Sequence, residues 1–185
     1  MNRYYMACLD LRDRRCVVVG AGAVGIEKIR GLLDCGARVT VVAPEADDEL
    51  HSLPVVWRPR RYKTRDLGGA FLVVAATSDN RVNRRVHGDA ERRGMLCNVA
   101  DVPELCNFIL PSVYRQDPIA VAVSTGGASP ALAKRLRDDI GTQIGPEHAE
   151  LARRLQALRP WAKRRFATYD ERRVFFEQFV DGALG

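Results

Sequence analysis

Short apolar runs alternate with amphipathic segments along residues 16–99 of the chain. Runs of roughly four to eight apolar residues bounded by turn residues are typical of buried strands, and apolar positions at helical spacing are typical of the helices between them. The alternation predicts a parallel sheet with helices on its faces. The predicted strands span residues 17–20, 38–43, 55–57, 70–76 and 95–99, and the predicted helices span residues 26–35 and 79–93.

The pattern changes after residue 106. Two short strands are predicted at 107–114 and 119–124, joined by a turn at 115–118. A loop of small residues then leads to Ser129, which is placed to cap a helix over about 131–140 with Pro130 at its first position. From Pro146 onward the chain is predicted to be helical and Arg-rich. Its apolar positions, which we expect to be buried, are Leu151, Leu155, Leu158, Phe175, Phe176 and Phe179.

The turn after the first strand carries the strongest functional signal. Gly20, Gly22 and Gly25 form Gly-x-Gly-x-x-Gly between a strand pattern and a helix pattern, which is the context of a dinucleotide-binding fingerprint. Gly20 permits the tight turn, Gly22 lets a pyrophosphate approach the backbone, and Gly25 lets the helix pack on the strand. Ala23 and Val24 open the helix, whose exposed amides and positive end attract phosphates. The sequence therefore predicts an α/β fold with a Rossmann-like sheet and NAD as cofactor.

Further cofactor contacts are expected at the carboxyl ends of the other strands, where dinucleotides bind in such sheets. After the second strand stand Ala43, Pro44 and Glu45, and either Glu45 or backbone groups of this turn are predicted to bind the ribose. No Arg follows at once to receive a 2′-phosphate, which favours NAD over NADP. Thr77 and Asp79 follow the fourth strand and either line the nicotinamide side or cap the next helix.

Asn98 and Asp101 close the fifth strand at the same predicted edge. Asn98 is a candidate cofactor contact. A carboxylate at Asp101 can take a proton from a substrate as a hydride leaves it. It can equally cap the turn before Pro103, and position alone does not separate these interpretations.

Composition narrows the class of protein. The 185 residues are 46% hydrophobic with a net charge of +6. No apolar run could span a bilayer, and residues 1–10 lack a signal peptide's apolar core, so we expect a cytoplasmic protein without membrane partners. Five cysteines and three histidines show no metal-ligand spacing, so no metal site is predicted.

Basic residues cluster at 58–65 and at 153–173. Such clusters can bind nucleic acid, bind a polyanionic small molecule, or form a solvated face. The absence of interleaved stacking aromatics is unlike a nucleic-acid module, so no nucleic-acid partner is predicted.

A second small-residue loop precedes the helix at about 131–140. Ser124, Thr125, Gly126 and Gly127 offer hydroxyls and backbone N–H groups that could hold a carboxylate or phosphate. The loop is not a P-loop, because the Gly-Lys-[Ser/Thr] ending is missing.

Several of these segments, in this order, resemble one family. They are residues 11–14, 17–25, 74–79, 97–101, 107–111 and 122–130. Over nearly its whole length the chain is similar to the precorrin-2 dehydrogenase and sirohydrochlorin ferrochelatase family, the N-terminal module of siroheme synthase. The resemblance implies an NAD-binding Rossmann domain over 1–111, a dimerisation region over 112–145, a helical C-terminal domain over 146–185, and an intertwined homodimer.

The resemblance also implies an activity. It implies NAD-dependent oxidation of precorrin-2 to sirohydrochlorin and, in some members, a lyase reaction that inserts Fe²⁺ to give siroheme. It places the family's key aspartate on Asp101 and substrate contacts on Asn107 and on the loop at 124–127, where Thr125 replaces a serine that the family often carries. Precorrin-2 has eight carboxylates, so Lys134 and Arg135 are candidate contacts, or else solvated helix charges.

Two functions of other classes stay open. One is a nucleotide-sensing Rossmann regulatory module, which would carry the glycine fingerprint but would not need the second loop or the basic tail. The other is a tetrapyrrole carrier without turnover. Hydride transfer to NAD⁺ distinguishes an enzyme from a carrier.

Overall fold

A computed structural model of the chain describes residues 4–184. Residues 1–3, at the start of the predicted first domain, lie outside the described residues, and so does Gly185 at the end of the predicted last domain. The described chain forms two compact units that divide between Leu110 and Pro111.

The first unit is a five-stranded parallel sheet in the order β3-β2-β1-β4-β5. Its strands are β1 (Arg15–Val19), β2 (Arg38–Val42), β3 (Val56–Arg58), β4 (Leu72–Ala75) and β5 (Leu96–Val99). Its helices are α1 (Ala23–Asp34) and α2 (Asn80–Glu91), with 3-10 turns at Asp48–Ser52, Thr64–Leu67 and Pro103–Leu105. The predicted α/β class is confirmed.

Apolar runs form these strands because both faces of the sheet are covered. Val18 packs with Ile29 of α1 on one face. Val17 packs with Val86 and Ala90 of α2 on the other face. Neighbouring residues of one strand are thus buried on opposite sides, which explains an unbroken apolar run in place of alternation.

The connection from β3 to β4 is an extended crossing that is held by a buried carboxylate. Asp66 is fully buried, and its carboxylate accepts hydrogen bonds from Arg58 Nη1 at 2.8 Å and from Arg60 Nη2 at 2.6 Å. The hydrogen bonds from Arg60 lower the pKa of Asp66 more than its burial raises it. Two cations of the basic cluster at 58–65 therefore serve the fold. The third strand also lies one residue later than predicted, and it ends on Arg58.

The second unit joins a hairpin to three helices. The antiparallel strands are β6 (Ser112–Gln116) and β7 (Ile119–Val123), and Asp117–Pro118 between them is a cis peptide. The helices are α3 (Pro130–Gly141), α4 (Pro146–Arg165) and α5 (Tyr169–Leu184). Tyr114 of β6 donates a hydrogen bond to the carbonyl of Ile144 at 2.8 Å, and its ring lies so close to Gly141 that a Cβ there would sit 2.7 Å away.

Two expectations for the second half are wrong in detail. The strand predicted over 107–114 begins only at Ser112, because residues 107–108 bond along β5 of the first unit. The apolar positions predicted to be buried are only half-buried, since α4 and α5 alone cannot enclose a core. Phe175 lies at the centre of their contact, with its ring centroid 5.5 Å from Trp161 and 5.2 Å from Phe166.

Candidate active site

The glycine-rich turn fits a dinucleotide cradle, with a different constraint at each glycine. Gly20 has φ +105°, and a Cβ there would lie 2.2 Å from the carbonyl oxygen of Ala76. Gly25 cannot carry a side chain because its Cβ would lie 2.4 Å from the Gly20 carbonyl oxygen. Gly25 thus lets α1 approach Gly20, the last residue of the predicted first strand.

Open space in front of α1 is the feature that fits a pyrophosphate. Gly22 is the N-cap of α1, and no heavy atom outside its chain neighbours would lie within 4 Å of a Cβ placed there. Ala23 and Val24 follow in the first turn, where backbone N–H groups have no acceptor within the helix. The residues present therefore fit the phosphates of a dinucleotide.

The turn after β2 offers one unengaged acid. The amide of Asp47 donates to the Ala21 carbonyl at 2.9 Å, which ties this turn to the glycine-rich turn. Ala43 is buried and its carbonyl accepts from the Trp57 indole at 3.1 Å, whereas the neighbouring Pro44 is exposed. The exposed Glu45 forms no hydrogen bond or ion pair with other residues of the described chain, so its carboxylate is available to a ribose.

The side chains after β4 are engaged in capping. Asp79 is the N-cap of α2, and its carboxylate accepts from the amides of Arg81 at 2.8 Å and Val82 at 3.4 Å. The Thr77 hydroxyl lies 2.8 Å from Oδ1 of Asn83. Asp79 therefore caps α2, and the Thr77 hydroxyl ties the loop to the same helix through Asn83. The Thr77 amide and carbonyl are also bonded to Asn83, at 3.4 Å and 2.9 Å.

Asp101 stands in a strained turn at the end of β5. Its φ is +60°, and its side chain is exposed. The backbone hydrogen bond from Ala100 to Ala75, at 2.9 Å, extends the sheet up to this turn. Within residues 4–184 the Asp101 carboxylate has no hydrogen-bond or ion-pair partner, so it does not cap the turn before Pro103. An unengaged carboxylate on such a backbone, at the carboxyl end of the sheet, makes Asp101 a candidate functional residue.

Cys106 holds the Asp101 turn and was missed from the sequence. Its sulfur accepts from the Val99 amide at 3.1 Å and lies 3.4 Å from the Val102 carbonyl. Burial raises the pKa of the Cys106 thiol, which keeps the proton that it donates.

The two asparagines predicted as ligand contacts also hold this segment. Asn98 Nδ2 donates to the Phe108 carbonyl at 3.1 Å. Asn107 accepts from the Cys97 amide at 2.8 Å and donates to the Met95 carbonyl at 2.9 Å. Both side-chain amides thus hold the backbone around β5. Of their four polar atoms, only Oδ1 of Asn98 has no protein partner among the described residues.

The second unit contains the other predicted loop. The hydroxyl of Thr125 lies 3.0 Å from both the amide and the carbonyl of Ser129, and Ser124 Oγ accepts from the Gly126 amide at 3.1 Å. Gly126 and Gly127 have φ of +63° and +88°. The Thr125 hydroxyl and the Gly126 amide are thus used inside the loop, while Ser124, Gly126 and Gly127 are exposed.

The predicted basic contacts on α3 differ in their surroundings. Arg135 Nε lies 3.1 Å from the Asp139 carboxylate, an exposed pair of the kind that contributes little to stability. Lys134 is exposed and has no ion-pair partner in the part of the chain that the structure describes.

The parallel sheet brings the predicted residues of the first unit to one edge, at the carboxyl ends of β1, β2, β4 and β5. The residues at 124–135 belong to the second unit. Across residues 4–184 no group of His, Cys, Asp and Glu could hold a metal ion. None of the described helices is long and apolar enough to cross a membrane.

Three family models match the chain in order. An NAD(P)-binding model covers residues 7–112, a siroheme biosynthesis central model covers 116–143, and a siroheme synthase dimerisation model covers 147–185. The dimerisation model thus matches the segment predicted above as the helical domain, and the central model matches the segment predicted above as the dimerisation region. A dinucleotide cofactor and the presence of a dimerisation region are confirmed.

Curated relatives include two siroheme synthases. That of Methylobacillus flagellatus is 41% identical over 186 residues, which cover 96% of this chain and 39% of that protein. That of Chromobacterium violaceum is 40% identical over 185 residues, covering 98% of this chain and 39% of that protein. The chain therefore spans about two fifths of the length of these relatives.

A solved structure of similar fold is SirC, a precorrin-2 dehydrogenase. It superposes with a TM-score of 0.79 at 27% identity, over 96% of this chain and 89% of that chain. The chain belongs to the family of NAD(P)-binding siroheme synthase modules that includes this precorrin-2 dehydrogenase.

Proposed function

We propose that the chain catalyses the NAD-dependent oxidation of precorrin-2 to sirohydrochlorin in siroheme biosynthesis. The observation that carries this proposal is the Asp101 carboxylate, which is exposed and unpaired among the described residues, on a left-handed backbone at the end of β5. β5 lies two strands from β1 and its glycine-rich turn, which is about 10 Å at the usual strand spacing. A base at this place lies within reach of a substrate bound against a dinucleotide.

The residues that would hold the cofactor follow from the geometry of the edge. The amides of Ala23 and Val24 hold the pyrophosphate beside Gly22, and Glu45 accepts hydrogen bonds from the adenosine ribose. The Glu45 carboxylate would repel a 2′-phosphate, which favours NAD over NADP. When bound, NAD⁺ supplies the hydride acceptor.

Asp101 then serves as the general base. Oxidation of precorrin-2 to sirohydrochlorin removes one hydride and one proton, and the unpaired carboxylate of Asp101 accepts the proton. Its turn is held by the Cys106 sulfur, so the carboxylate is presented from a fixed backbone. A positioned base of this kind contributes about 10²- to 10⁴-fold to a rate.

Substrate contacts are assigned to the second unit. The Gly127 backbone offers a donor to the substrate carboxylates, as does Lys134, which has no ion-pair partner among the described residues. Ser124, Thr125, Gly126 and Arg135 lie beside them along the chain. We assign Asn107 to holding the start of β5, through its bonds to Met95 and Cys97. The net charge of +6 favours the approach of a polyanionic substrate.

The chain acts as a cytoplasmic homodimer with domains at 1–111, 112–145 and 146–185. If Fe²⁺ is a second substrate, the macrocycle nitrogens are its main ligands and Asp101 accepts the displaced protons.

Anaerobic turnover tests the proposal. Purified protein is incubated with precorrin-2 and either NAD⁺ or NADP⁺, and the macrocycle spectrum and the reduced cofactor are followed. Sirohydrochlorin formed with matching NADH, faster with NAD⁺, is the expected result. Fe²⁺ is added only after this phase ends, and a further change faster than in the protein-free control reports metal insertion. Binding of both ligands without turnover would contradict the dehydrogenase and favour a carrier.

A further inference from the structure

We propose that Asn83 is a positioning residue that holds the loop after β4 against the glycine-rich turn and thereby sets the affinity for the dinucleotide. This inference rests on the proposed function, because it requires that the edge formed by Gly20, Gly22 and Gly25 binds NAD⁺. Asn83 was not among the site residues predicted from the sequence.

Asn83 is a buried residue whose side-chain amide hydrogen-bonds to one residue of the loop, Thr77. Its side chain lies in α2 and the residue is only 3% exposed. Nδ2 donates to the Thr77 carbonyl at 2.9 Å, while Oδ1 accepts from the Thr77 hydroxyl at 2.8 Å and from the Thr77 amide at 3.4 Å. A flipped amide would turn its NH₂ group toward the Thr77 N–H, so only one orientation satisfies both groups.

The hydroxyl of Thr77 connects Asn83 to Asp79, the N-cap residue of α2, by hydrogen bonds. Thr77 Oγ1 lies 2.8 Å from Asn83 Oδ1 and 3.1 Å from the Asp79 carbonyl, and it accepts from the Asp79 amide at 3.2 Å. A hydroxyl has one proton to donate, and Asn83 Oδ1 is its nearer acceptor. Asp79 in turn caps α2, the helix that carries Asn83. Loop, cap and helix therefore form one hydrogen-bonded network that removes freedom from Thr77.

The position of this loop matters because it touches the cofactor turn. The Ala76 amide donates to the Val19 carbonyl at 2.8 Å. A Cβ on Gly20 would lie 2.2 Å from the Ala76 carbonyl oxygen and 3.1 Å from Cγ2 of Thr77. Loss of the Asn83 hydrogen bonds would let Ala76 and Thr77 shift beside Gly20, in the turn proposed to bind the dinucleotide.

Asp89 provides a control for a merely structural role. It lies in the same helix, is 1% exposed, and accepts a hydrogen bond from the Tyr62 hydroxyl at 2.8 Å. Tyr62 belongs to the crossing between β3 and β4 and not to the loop after β4. Asn83→Asp and Asp89→Asn are therefore isosteric exchanges at equally buried positions, of which only the first touches Thr77.

The test measures NAD⁺ binding without substrate, by calorimetric titration of the full chain, together with the melting temperature. Asn83→Ala and Asn83→Asp are expected to raise the Kd for NAD⁺ about tenfold or more, which is about 1.4 kcal/mol. Asp89→Asn is expected to lower the melting temperature but to leave the Kd within about twofold of the wild type. Amide hydrogen exchange at Thr77 in the free protein should accelerate only in the Asn83 variants.

An Asn83 variant that folds and binds NAD⁺ like the wild type would overturn the inference, as would an equal loss of affinity in Asp89→Asn. Thr77→Val removes the hydroxyl, and with it both the bond to Asn83 and the bond from the Asp79 amide, so it tests the same network if both Asn83 variants fail to fold. Its Kd should also rise, and an unchanged Kd would count against the inference. A wild-type protein that does not bind NAD⁺ would instead overturn the proposed function and this inference together.

Discussion

Asp13 and Asp101 share a left-handed backbone, with φ of +58° and +60°, at opposite ends of the same parallel sheet. Asp13 precedes β1, and its carbonyl accepts from Arg38 Nε at 2.9 Å. Asp101 follows β5 at the edge that carries the glycine-rich turn. Both side chains are exposed. The same substitution at the two positions therefore has the same cost in backbone conformation, and only at Asp101 does it remove a carboxylate from the cofactor edge.

Glycine and alanine variants at these two positions measure the backbone cost. Alanine should lower the free energy of unfolding by about 1 kcal/mol at either position, because L residues other than Asn and Asp resist this conformation. Glycine should change it by less than about 1 kcal/mol, because relief of strain offsets the greater entropy of the unfolded chain. Urea denaturation checks both values.

The rate of NADH formation should differ between the two positions, although the stability effects should be alike. Asp101→Gly should abolish NADH formation, and Asp13→Gly should retain it, since only Asp101 lies at the cofactor edge. Equal activity in the two glycine variants would show that the strained carboxylate at Asp101 has no role in turnover.

The glycines of the fingerprint should also separate stability from binding. Gly20→Ala places a methyl group 2.2 Å from a backbone oxygen at φ +105°, so it should lower the melting temperature and prevent NAD⁺ binding. Gly22→Ala enters open space at φ −79°, so the fold should be retained while the methyl group obstructs the phosphates. Melting curves and NAD⁺ titration of both variants provide the check. A Gly22→Ala protein that binds NAD⁺ at wild-type affinity would place the pyrophosphate elsewhere.

Asp66 should make the stability of the first unit depend on acid. Arg60 lowers the pKa of this carboxyl in the folded state, so its contribution is present above the pKa of the unfolded chain, about 4. It is lost as the pH falls through the lower folded value. Asp66→Asn should cost about 1–3 kcal/mol at pH 7, and its stability should fall less than that of the wild type below pH of about 4. Urea denaturation at pH 7 and in acid compares them, and parallel losses would contradict this origin.

Local pattern explains why the sheet and its cofactor turn could be predicted from the sequence. The apolar runs of β1 and β4 are buried on both faces, and the glycines follow β1 at fixed spacing. Asp79 and Ser129 were recognised as caps because a cap acts on amides two or three residues away. Each of these signals lies within one turn or strand.

What the sequence did not reveal depends on partners brought together by the fold. Asp66 meets Arg58 only after the crossing folds back, and Cys106 meets Val99 across a turn. Asn83 left a faint signal as a polar residue on the apolar stripe of Val86 and Ala90. A buried polar residue on such a stripe needs hydrogen-bond partners, and the spacing of apolar residues does not predict which residues those are.

Replacement of Asp101 by Asn is the most direct test of the proposed base. Asn tolerates the left-handed backbone and keeps the shape of the side chain, so the fold and the Kd for NAD⁺ should be unchanged. The matched control is Asp13→Asn, the same exchange at the other end of the sheet. The rate of NADH formation with saturating precorrin-2 should fall about 100-fold or more in Asp101→Asn and stay at the wild-type value in Asp13→Asn. A wild-type rate in Asp101→Asn would contradict the assignment of the proton to this carboxylate.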